Sequence, residues 1–556
     1  MIPLLTLHNP ARAQAYYADK TWRAETFYAY LEQHAAARPD APALRDSARR
    51  LSWRELKTWV DAVADALHES GVVKGQRVSL WMSNRVEAVV AFLAATRNGY
   101  VCNPSLHRNY TSEEILALLD NIGAAAIFAE ADYGVDAAGS NVLDDIADLP
   151  AMKRVFRLPP GRDPGSDFPT PGQDAGHAVA PETNPDKVSY LAFTSGTTGT
   201  PKGVMHSDNT LLANPRDMVA DWNHGPSTVL LTLSPLSHHI AWVAVGQVLV
   251  CGGQLVVNDP ADGMTPLDWI LETGATYVMG VPTHAMDILA EQKARGLAKL
   301  GAVNLFYMAG APIPRATAQA FLDQGVNPQN IYGMTENSSH QYTYPDDDPE
   351  TIVSTCGRGG PSYTVRIFGQ ENSDVEVPNG EVGQIGGKGA CLMLGYFDNQ
   401  RATETSFNKD GWFLSGDLGR LDDRGCLEIV GRLKDVIIRG GHNIHPAKIE
   451  DLAIKHASVE KAAAFAVPDE RLGERVGLAV IPAPDSADTG DATLDGEAVL
   501  AHLFENGLSK LDMPEYFIVM PELPLTPSGK ILKRELAEWA RNGRIAPTPI
   551  RFKEPS

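Results

Sequence analysis

The chain has 556 residues, too many for one hydrophobic core, so we expect two to four domains. Apolar residues make up 44% and charged residues 21%, values typical of globular proteins that exclude a disordered or collagen-like chain. The net charge of −21 argues against nucleic acid or an acidic membrane surface as a partner. Small anionic ligands stay compatible with this charge, because they need only a few well-placed cations.

Targeting and membrane signals are weak in this sequence. The segment before residue 13 has no basic region and only a short apolar run, so we expect no cleaved signal peptide. The most apolar stretch, 241–257, is interrupted by glutamines and glycines and predicts a buried helix followed by a strand. The five cysteines are scattered and form no CxxC pair, which is typical of reduced thiols and gives no zinc site. These features predict a cytoplasmic protein.

Strand-like and helix-like segments alternate along the first half of the chain. Residues 77–82 predict a strand, and Thr111 with Glu114 forms a capping-box pattern in front of a helix. Gly123 predicts the end of that helix, and 125–128 predict the next strand. This alternation predicts a parallel or mixed sheet covered by helices.

The same alternation recurs in the middle of the chain. The predicted elements are, in order, strand, helix, strand, helix and strand, at 277–281, 283–294, 304–308, 314–324 (with Gly325 as its cap) and 330–332. Two turns, 309–312 and 333–336, follow the last two of these strands. Ligands of open α/β sheets bind at the carboxyl ends of strands, so both turns are candidate ligand contacts.

A domain boundary is predicted near residues 431–435. Two segments are predicted to be loops because they are rich in small and polar residues: 159–186 before the boundary and 482–497 beyond it. From this point the long β/α portion gives way to short strands and two helices. We therefore predict an N-terminal domain over 1–432 and a C-terminal domain over 433–556.

The strongest local signal is the segment FTSGTTGTPKG at 193–203. The candidate phosphate contacts among its hydroxyl-bearing residues and glycines are Thr194, Ser195, Gly196, Thr197, Thr198 and Gly199. Such a loop can surround phosphate oxygens while Lys202 neutralises their charge, although a solvated linker has a similar composition. Because Lys202 lies between Pro201 and Gly203, the Walker pattern is not met. The predicted ligand is a nucleotide phosphate bound in another geometry.

This segment resembles the phosphate-binding signature of the acyl-adenylate-forming superfamily, which contains acyl-CoA synthetases, adenylation domains of peptide synthetases and luciferases. Further signatures follow in the family's order: YGMTE at 332–336, GWFLSGD at 411–417, GRLKD at 431–435, GGHNI at 440–444 and PLTPSGK at 524–530. The resemblance implies an α/β fold, with a large N-terminal domain of helix-covered mixed sheets and a small mobile α+β C-terminal domain.

The resemblance implies roles for the YGMTE residues. Glu336 would bind Mg²⁺, Thr335 would contact the α-phosphate of ATP, and Tyr332 would lie against adenine; a hard cation prefers such a carboxylate. The alternatives are an acid at a helix N-terminus for Glu336 and a packing aromatic for Tyr332. Further implied contacts to ATP or AMP are Gly310, Ala311, Pro312, Gly333 and Met334.

Roles are implied for the later signatures too. Asp417 would accept hydrogen bonds from the ribose hydroxyls, as an ionised acceptor-only group can, unless it is a simple turn residue. Arg432 would be a second ribose contact, and Lys434 would be the hinge between two domain orientations. The usual threonine before the glycine of GWFLSGD is replaced here by Ser415.

The C-terminal signatures imply the remaining catalytic and CoA contacts. Lys530 resembles the catalytic lysine of the family, and a mobile ammonium can neutralise charge that develops at the α-phosphate; the alternative is a solvated surface lysine. The resemblance assigns Gly440, Gly441 and His442 to CoA, since glycine lets the pantetheine arm approach the backbone. Acetylation of Lys530 would remove its charge, which makes it a candidate acetyltransferase target.

The acyl pocket is the least specified site. Its predicted lining is His238, Trp242, Val281, Met308 and Met334, with His238 as a gate and His239 as a structural residue. A satisfied core histidine is the alternative for His238. The lining has no obvious countercharge, which favours an uncharged cyclic, aromatic or medium-chain acid over an amino acid. The chain also resembles cyclohexanecarboxylate and aryl-acid CoA ligases in general appearance.

The predicted function is ATP-dependent carboxylate–CoA ligation through an acyl-adenylate, with ATP, Mg²⁺ and CoA as cofactors or co-substrates. One alternative is a stand-alone adenylating enzyme that loads an aryl acid onto a carrier protein. Another is a catalytically inactive binding protein of the same fold, which the presence of Lys202, Glu336, Asp417, Arg432 and Lys530 disfavours. The oligomeric state stays open, with a homodimer among the options.

Overall fold

A computed structural model describes residues 4–163, 165–170, 178–194, 201–311, 313–483, 494–525 and 531–552. The chain divides into two units: the first comprises Met1–Val365, Gly387–Phe407 and Arg424–Leu427, and the second Arg366–Gly386, Asn408–Asp423 and Glu428–Ser556. Segments that precede residue 432 thus group with the second unit, and the boundary between 432 and 433 stays a prediction.

Sixteen helices occur in the described part of the chain. They are α1 (Pro10–Ala18), α2 (Phe27–Ala37), α3 (Trp53–Glu69), α4 (Val86–Arg97), α5 (Ser112–Ile122), α6 (Val142–Ala147), α7 (Asp208–Asp221), α8 (His239–Cys251), α9 (Pro266–Thr273), α10 (Pro282–Ala294), α11 (Arg315–Leu322), α12 (Pro349–Ser354), α13 (Gln400–Thr405), α14 (Pro446–Ala453), α15 (Gly496–Glu505) and α16 (Lys533–Arg541). Within those residues, none of the helices combines the length and the hydrophobicity that crossing a bilayer requires.

The strands are β1 (Pro42–Arg45), β2 (Arg50–Ser52), β3 (Arg77–Trp81), β4 (Val101–Asn103), β5 (Ala124–Glu130), β6 (Arg154–Leu158), β7 (Val188–Thr194), β8 (Lys202–Ser207), β9 (Val229–Thr232), β10 (Gln254–Val257), β11 (Tyr277–Gly280), β12 (Leu305–Ala309), β13 (Asn327–Met334), β14 (Ser338–Tyr342), β15 (Tyr363–Phe368), β16 (Gly383–Gly389), β17 (Phe413–Leu421), β18 (Leu427–Arg432), β19 (Ile437–Arg439), β20 (His442–Ile444), β21 (Val459–Asp469), β22 (Gly473–Pro482), β23 (Tyr516–Val519) and β24 (Thr548–Pro549).

The first unit contains two mixed sheets. One has eight strands in the order β14-β13-β12-β11-β9-β10-β1-β2, parallel except for the antiparallel edge strands β14 and β2. The other has six strands in the order β6-β5-β3-β4-β7-β8, parallel except for β8. The predicted helix-covered mixed sheets are therefore confirmed.

Alternation along the strands divides the first unit into layers. On β11, Tyr277 and Met279 face one core, whereas Val278 faces another, as the two-residue period of a strand requires. The core that contains Tyr277 lies between the two sheets and includes α2, α3, α4, α7 and α8. Helices α5 and α6 cover the outer face of the six-stranded sheet, and α9, α10 and α11 that of the eight-stranded sheet.

Local signals placed several of these elements correctly. The backbone N–H of Thr111 donates to Glu114 Oε2 at 2.8 Å, and that of Glu114 donates to Thr111 Oγ1 at 3.2 Å, so the predicted capping box is confirmed. Gly123 ends α5 in the left-handed region, with φ at 58°. The buried helix and strand predicted within 241–257 are α8 and β10.

Other elements differ from their predictions where tertiary pairing extends or shortens them. Helix α11 ends at Leu322 with Asp323 as its C-cap, so Gly325 lies beyond the cap. Strand β13 is longer than predicted, because it pairs with β12 on one side and β14 on the other. The prediction of two helices and short strands after residue 435 is wrong, since the described residues of that region already contain three helices and the long pair β21 and β22.

The second unit contains two further sheets. Strands β15-β16-β17-β18 form one, with most of its residues in this unit. The other has the order β20-β19-β22-β23-β24, with β21 also paired to β22. Helices α14 and α15 share a core with Ala462 and Ala464 of β21, while α16 shares the opposite core with Ala463 and Phe465.

Asp217 on α7 is a mostly buried carboxylate in the first unit. The backbone N–H of Ser362 donates to its Oδ2 at 2.9 Å, and burial raises the Asp217 pKa from 3.8 to about 6. Between these two pH values the folded state keeps a proton that the unfolded chain has lost. The folded protein is therefore most stable below pH 4 with respect to this group, and it loses that contribution as the pH rises through 6.

We expect Asp217→Asn to remove this loss, because an amide does not titrate and can still accept the Ser362 hydrogen bond. The free energy of unfolding of the variant minus that of wild type should increase by roughly 2 kcal/mol from pH 4 to pH 7. Thermal unfolding at both pH values measures this change. Asp262→Asn is the matched control, because that carboxylate is fully exposed. An equal difference in Tm at both pH values would contradict the assignment.

Candidate active site

The carboxyl ends of β11, β12 and β13 meet at one edge of the eight-stranded sheet, because these strands are parallel. Gly310 follows β12 there with a φ of +90°, and a Cβ placed on it would lie 4.0 Å from Cγ1 of Val281. The structure thus brings a predicted nucleotide contact beside a predicted acyl-pocket residue. Open α/β sheets bind their ligands at such an edge.

The YGMTE residues form the end of β13 and its turn into β14. Gly333 is required here, since a Cβ would lie 1.8 Å from the carbonyl oxygen of Ser338. The backbone N–H of Met334 donates to Asn337 Oδ1 at 3.0 Å, which tightens the turn. Thr335 and Glu336 therefore lie in a turn between two strands. No described helix begins at Glu336, so the helix-dipole alternative does not apply.

Glu336 is 9% exposed, and two contacts hold it in place. The Tyr396 hydroxyl donates to Glu336 Oε1 at 2.9 Å, and the backbone N–H of Met393 donates to the Glu336 carbonyl at 2.7 Å. The ammonium of Lys202 lies 4.7 Å from the centroid of the Tyr396 ring, within cation–π range. Tyr396 thus links the predicted metal ligand to the predicted phosphate-binding lysine.

Tyr396 was not found from the sequence, because it belongs to none of the family signatures. It is placed by backbone pairing between residues 394–397 and β8. Phe397 donates to the Gly203 carbonyl at 2.7 Å, and Met205 donates to the Gly395 carbonyl at 3.0 Å. No local periodicity could have revealed this contact, since it joins segments that are distant in sequence.

The phosphate loop is described only at its two ends. Thr194 closes β7 and lies opposite Lys202, the first residue of β8, in an antiparallel pair. The other predicted members of the loop, Ser195, Gly196, Thr197, Thr198 and Gly199, lie outside the described residues, as do Pro312 and Lys530.

His206 on β8 is a second residue that sequence reasoning missed. Its Nε2 lies 2.7 Å from the Thr335 carbonyl oxygen, and its Nδ1 lies 3.0 Å from Thr210 Oγ1. A carbonyl can only accept, so Nε2 must carry the proton. Burial lowers the His206 pKa to about 4, which keeps the imidazole neutral. His206 therefore holds the backbone of the turn that carries Glu336.

The adjacent histidines 238 and 239 have different surroundings. His239 is hydrogen-bonded on both sides, with Nδ1 3.2 Å from the Tyr190 hydroxyl and Nε2 3.0 Å from Ser338 Oγ, and burial lowers its pKa to about 3. This arrangement fits the structural role predicted for it. His238 is only half-buried at the N-cap of α8, with its ring centroid 4.5 Å from that of His107.

Tyr332 and Met334 are both partly exposed at the sheet edge. The Tyr332 ring makes an edge-to-face contact with His340, with their centroids 5.5 Å apart. His340 is buried, so this contact packs one edge of the aromatic pair against the core.

The structure does not bring all five predicted pocket residues together. Trp242 donates from Nε1 to the Leu236 carbonyl and packs on Phe92, in the core between the two sheets. Met308 lies in the core on the opposite face of the eight-stranded sheet. The reason is alternation: Tyr307 and Ala309 face α8, so Met308 must face away from it.

The second unit brings Asp417 and Arg432 together. Arg432 Nε lies 3.4 Å from Asp417 Oδ1, on neighbouring strands β17 and β18. Ser415 Oγ accepts from the Asp417 N–H and donates to the Ile385 carbonyl, both at 3.0 Å. The serine that replaces the usual threonine therefore orients Asp417. Lys434 is exposed in a short 3₁₀ turn directly after β18.

Gly440 and Gly441 form the two-residue loop between β19 and β20. Their φ values of +59° and +88° are those of a tight hairpin turn that disfavours side chains. A Cβ on Gly441 would meet nothing within 4 Å, so its open surface fits close approach by a ligand. His442 Nε2 lies 2.8 Å from Asp512 Oδ1.

Comparison with known proteins identifies the family. The sequence profile described as AMP-binding enzyme matches residues 31–397, and that of the AMP-binding enzyme C-terminal domain matches 448–530. The chain belongs to the AMP-binding enzyme family. Its predicted membership of the acyl-adenylate-forming superfamily is confirmed.

Named relatives and a solved structure cover almost the whole chain. A medium-chain fatty-acid–CoA ligase of Escherichia coli is 28% identical over 94% of this chain and 92% of that protein. A feruloyl-CoA synthase of an Amycolatopsis species is 32% identical over 91% and 97%. ATP-bound MatB from Rhodopseudomonas palustris matches with a TM-score of 0.81 and 30% identity, over 93% and 99%. The chain is an acid–thiol ligase.

A magnesium ion could bind at this sheet edge through a single protein carboxylate. Within the described residues, no group of three or more His, Cys, Asp or Glu side chains could hold a metal ion. Glu336 instead offers a single fixed carboxylate. Mg²⁺ commonly binds one or two carboxylates together with substrate phosphates and water, so this site fits an ion shared with ATP.

We expect Tyr396→Phe to raise the Mg²⁺ concentration needed for half-maximal activity by about tenfold, because partners that orient a metal ligand contribute on that scale. Glu336→Gln should cause a larger shift, since it removes the charge itself. A magnesium titration of steady-state turnover measures both.

Tyr28→Phe is the control, because the Tyr28 hydroxyl makes a similar buried bond to Asp61 at 2.6 Å, away from the sheet edge. If Tyr396→Phe needed the same Mg²⁺ concentration for half-maximal activity as wild type, the Tyr396 hydroxyl would not position Glu336.

Proposed function

We propose that the protein is an ATP-dependent carboxylate–CoA ligase that forms an acyl-adenylate from an uncharged cyclic, aromatic or medium-chain acid. The observation that carries this proposal is the meeting of Lys202, Tyr396 and Glu336 beside the sheet edge that holds Gly310 and Val281. One cation and one carboxylate in this arrangement support the binding of a triphosphate next to an acid.

In the first half-reaction, a carboxylate oxygen of the acid attacks the α-phosphorus of ATP and pyrophosphate leaves. Negative charge develops on the phosphoryl oxygens, and the Lys202 ammonium, held over the Tyr396 ring, offsets part of it. Glu336 would hold Mg²⁺, which supplies charge neutralisation of the phosphates when it is bound. Lys530 is proposed from the family motif to supply a second ammonium at the reacting oxygens.

In the second half-reaction, the CoA sulfur attacks the acyl carbonyl carbon. The thiol loses its proton, and the bond from the acyl carbon to the phosphate oxygen of AMP breaks. We propose that Gly440 and Gly441 form the surface along which the pantetheine arm passes. We also propose that rotation at Lys434 withdraws Lys530 from the active site and brings this glycine surface to it. The residue types support this, because neither glycine places a side chain in the way of the arm.

The proposed substrate class is supported by the apolar residues among the predicted pocket lining. His238, Val281 and Met334 are the predicted pocket residues that lie at the sheet edge, and the buried histidines beside them are neutral. Val281 and Met334 themselves offer no countercharge to a charged acyl substituent. The named relatives that act on medium-chain fatty acids and on ferulate support an uncharged acyl group.

A panel of acids tests the proposed function. AMP formation is measured with each acid, with and without CoA, and thioester is detected directly. We expect AMP and acyl-CoA in equal amounts with at least one uncharged cyclic, aromatic or medium-chain acid. If an acid caused pyrophosphate release but no CoA thioester formed, the carrier-loading alternative would be favoured. If no acid caused pyrophosphate release, an inactive binding protein would be favoured.

We expect Lys530→Ala to slow adenylation about 10²–10³-fold, the scale of a missing charge-stabilising donor, while thioester formation from supplied acyl-adenylate stays near normal. Lys434→Pro should slow thioester formation more than adenylation, because proline fixes φ near the value of a 3₁₀ turn and resists rotation. Separate assays of the two half-reactions measure both effects.

Lys461→Ala controls for loss of a surface charge, and Lys434→Ala controls for loss of the hinge charge without fixing φ. Equal damage to both half-reactions in Lys530→Ala and Lys434→Pro would contradict the alternating mechanism.

Acid, ATP and CoA are the proposed partners, and nucleic acid is not among them. We propose a cytoplasmic location and acetylation of Lys530 as a possible means of control, since it would remove the ammonium that adenylation needs.

A further inference from the structure

Three buried polar side chains meet in the core between the two sheets of the first unit. They are Gln247 on α8, Tyr277 on β11 and Gln329 on β13, none more than 1% exposed. The Tyr277 hydroxyl donates to Gln329 Oε1 at 3.3 Å and also contacts the Gln247 amide. We call these three residues the polar floor.

The polar floor has hydrogen-bonding capacity that the described residues do not fill. Gln247 Oε1 and Gln329 Nε2 are buried and have no hydrogen-bond partner among them. The Gln247 amide nitrogen also donates to Met279 Sδ at 3.4 Å, a weak acceptor. Leaving a buried polar group unsatisfied is unfavourable, so an apolar residue would be the more stable choice at either position. One acceptor and one donor are thus left for a ligand.

The polar floor lies at a definite depth below the sheet edge. Gln329 precedes Tyr332 by three residues, which is about 10 Å along a strand. Gln247 follows His239 by eight residues, which is about 12 Å along a helix. Two separate elements thus place the amides at similar depths, one below Tyr332 and the other below His239.

The surroundings of the polar floor are apolar and uncharged. Ala309 on β12 and Ala244 on α8 belong to the same core, and both are small. His224 stacks on Tyr277 with ring centroids 4.8 Å apart, and burial lowers the His224 pKa to about 4, so it is neutral. An ionised group would find no countercharge here.

We infer that the polar floor is a specificity subsite that binds an uncharged hydroxyl or ketone oxygen at the end of the acid remote from its carboxylate. A hydroxyl can donate to Gln247 Oε1 and accept from Gln329 Nε2, whereas a ketone can accept from Nε2. The inference rests on the proposed function, which supplies the carboxylate end of the ligand.

Matched acids test this subsite. One pair is 3-phenylpropanoate and 3-(4-hydroxyphenyl)propanoate, and the other is 3-cyclohexylpropanoate and 3-(4-oxocyclohexyl)propanoate. Equilibrium binding and kcat/KM are measured for each acid. We expect the oxygen-bearing member of a pair to be preferred about tenfold or more, since a site built around hydrogen bonds disfavours the analogue that lacks them.

Gln247→Met and Gln329→Met remove the amides at similar volume. Each should reduce the preference to about threefold or less while binding of the unsubstituted acid is kept. Gln292→Met is the matched control, because Gln292 is also buried but its amide nitrogen is satisfied by the Leu297 carbonyl at 3.1 Å and Gln324 Oε1 at 3.0 Å. It should keep the wild-type preference.

Equal binding of both members in both pairs by wild type, or an unchanged preference in both methionine variants, would overturn the inference. Thioester formation without a preference refutes the subsite alone. A binding preference without any thioester refutes the proposed ligase function alone. Both variants should keep or raise Tm, and failure of both to fold would show that the amides are structural and would also overturn the inference.

Discussion

The backbone pairing of residues 394–397 with β8 is the contact on which the active edge depends. It brings the Tyr396 ring over Lys202 and its hydroxyl onto Glu336, so one side chain fixes the separation of the cation and the carboxylate. The hydrogen bond from His206 on β8 to the Thr335 carbonyl ties the same two segments together through the backbone. Catalysis by charge stabilisation depends on such fixed positions, because groups that must first reorganise lose much of their effect.

Several histidines of the first unit are kept neutral by burial. His206 holds the turn that carries Glu336, while His107 lies beside His238 and His239 follows it, and burial lowers the pKa of His206, His239 and His107 far below neutrality. They therefore act as hydrogen-bonding and packing groups. Neutral groups of this kind add no opposing charge that would weaken the field of Lys202 and Glu336.

The sequence predicted the features that depend on local or motif signals. The capping box at Thr111, the mixed sheets and the family were all predictable, because each leaves a pattern within a short segment. Tyr396, His206 and Gln247 were not predictable, since their importance arises from partners distant in the chain. Met308 illustrates a further limit: its distance from the strand end was readable, but the face to which it points depends on the register of β12 with its neighbours.

The unfilled amides of Gln247 and Gln329 have a consequence for how this protein can change. Replacing either with a hydrophobic residue removes a buried cost, so selection for heat resistance alone would favour such replacements. If the polar floor binds the acid as inferred, the same replacements would make the protein less discriminating among acids. Stability and selectivity would then be opposed at these two positions.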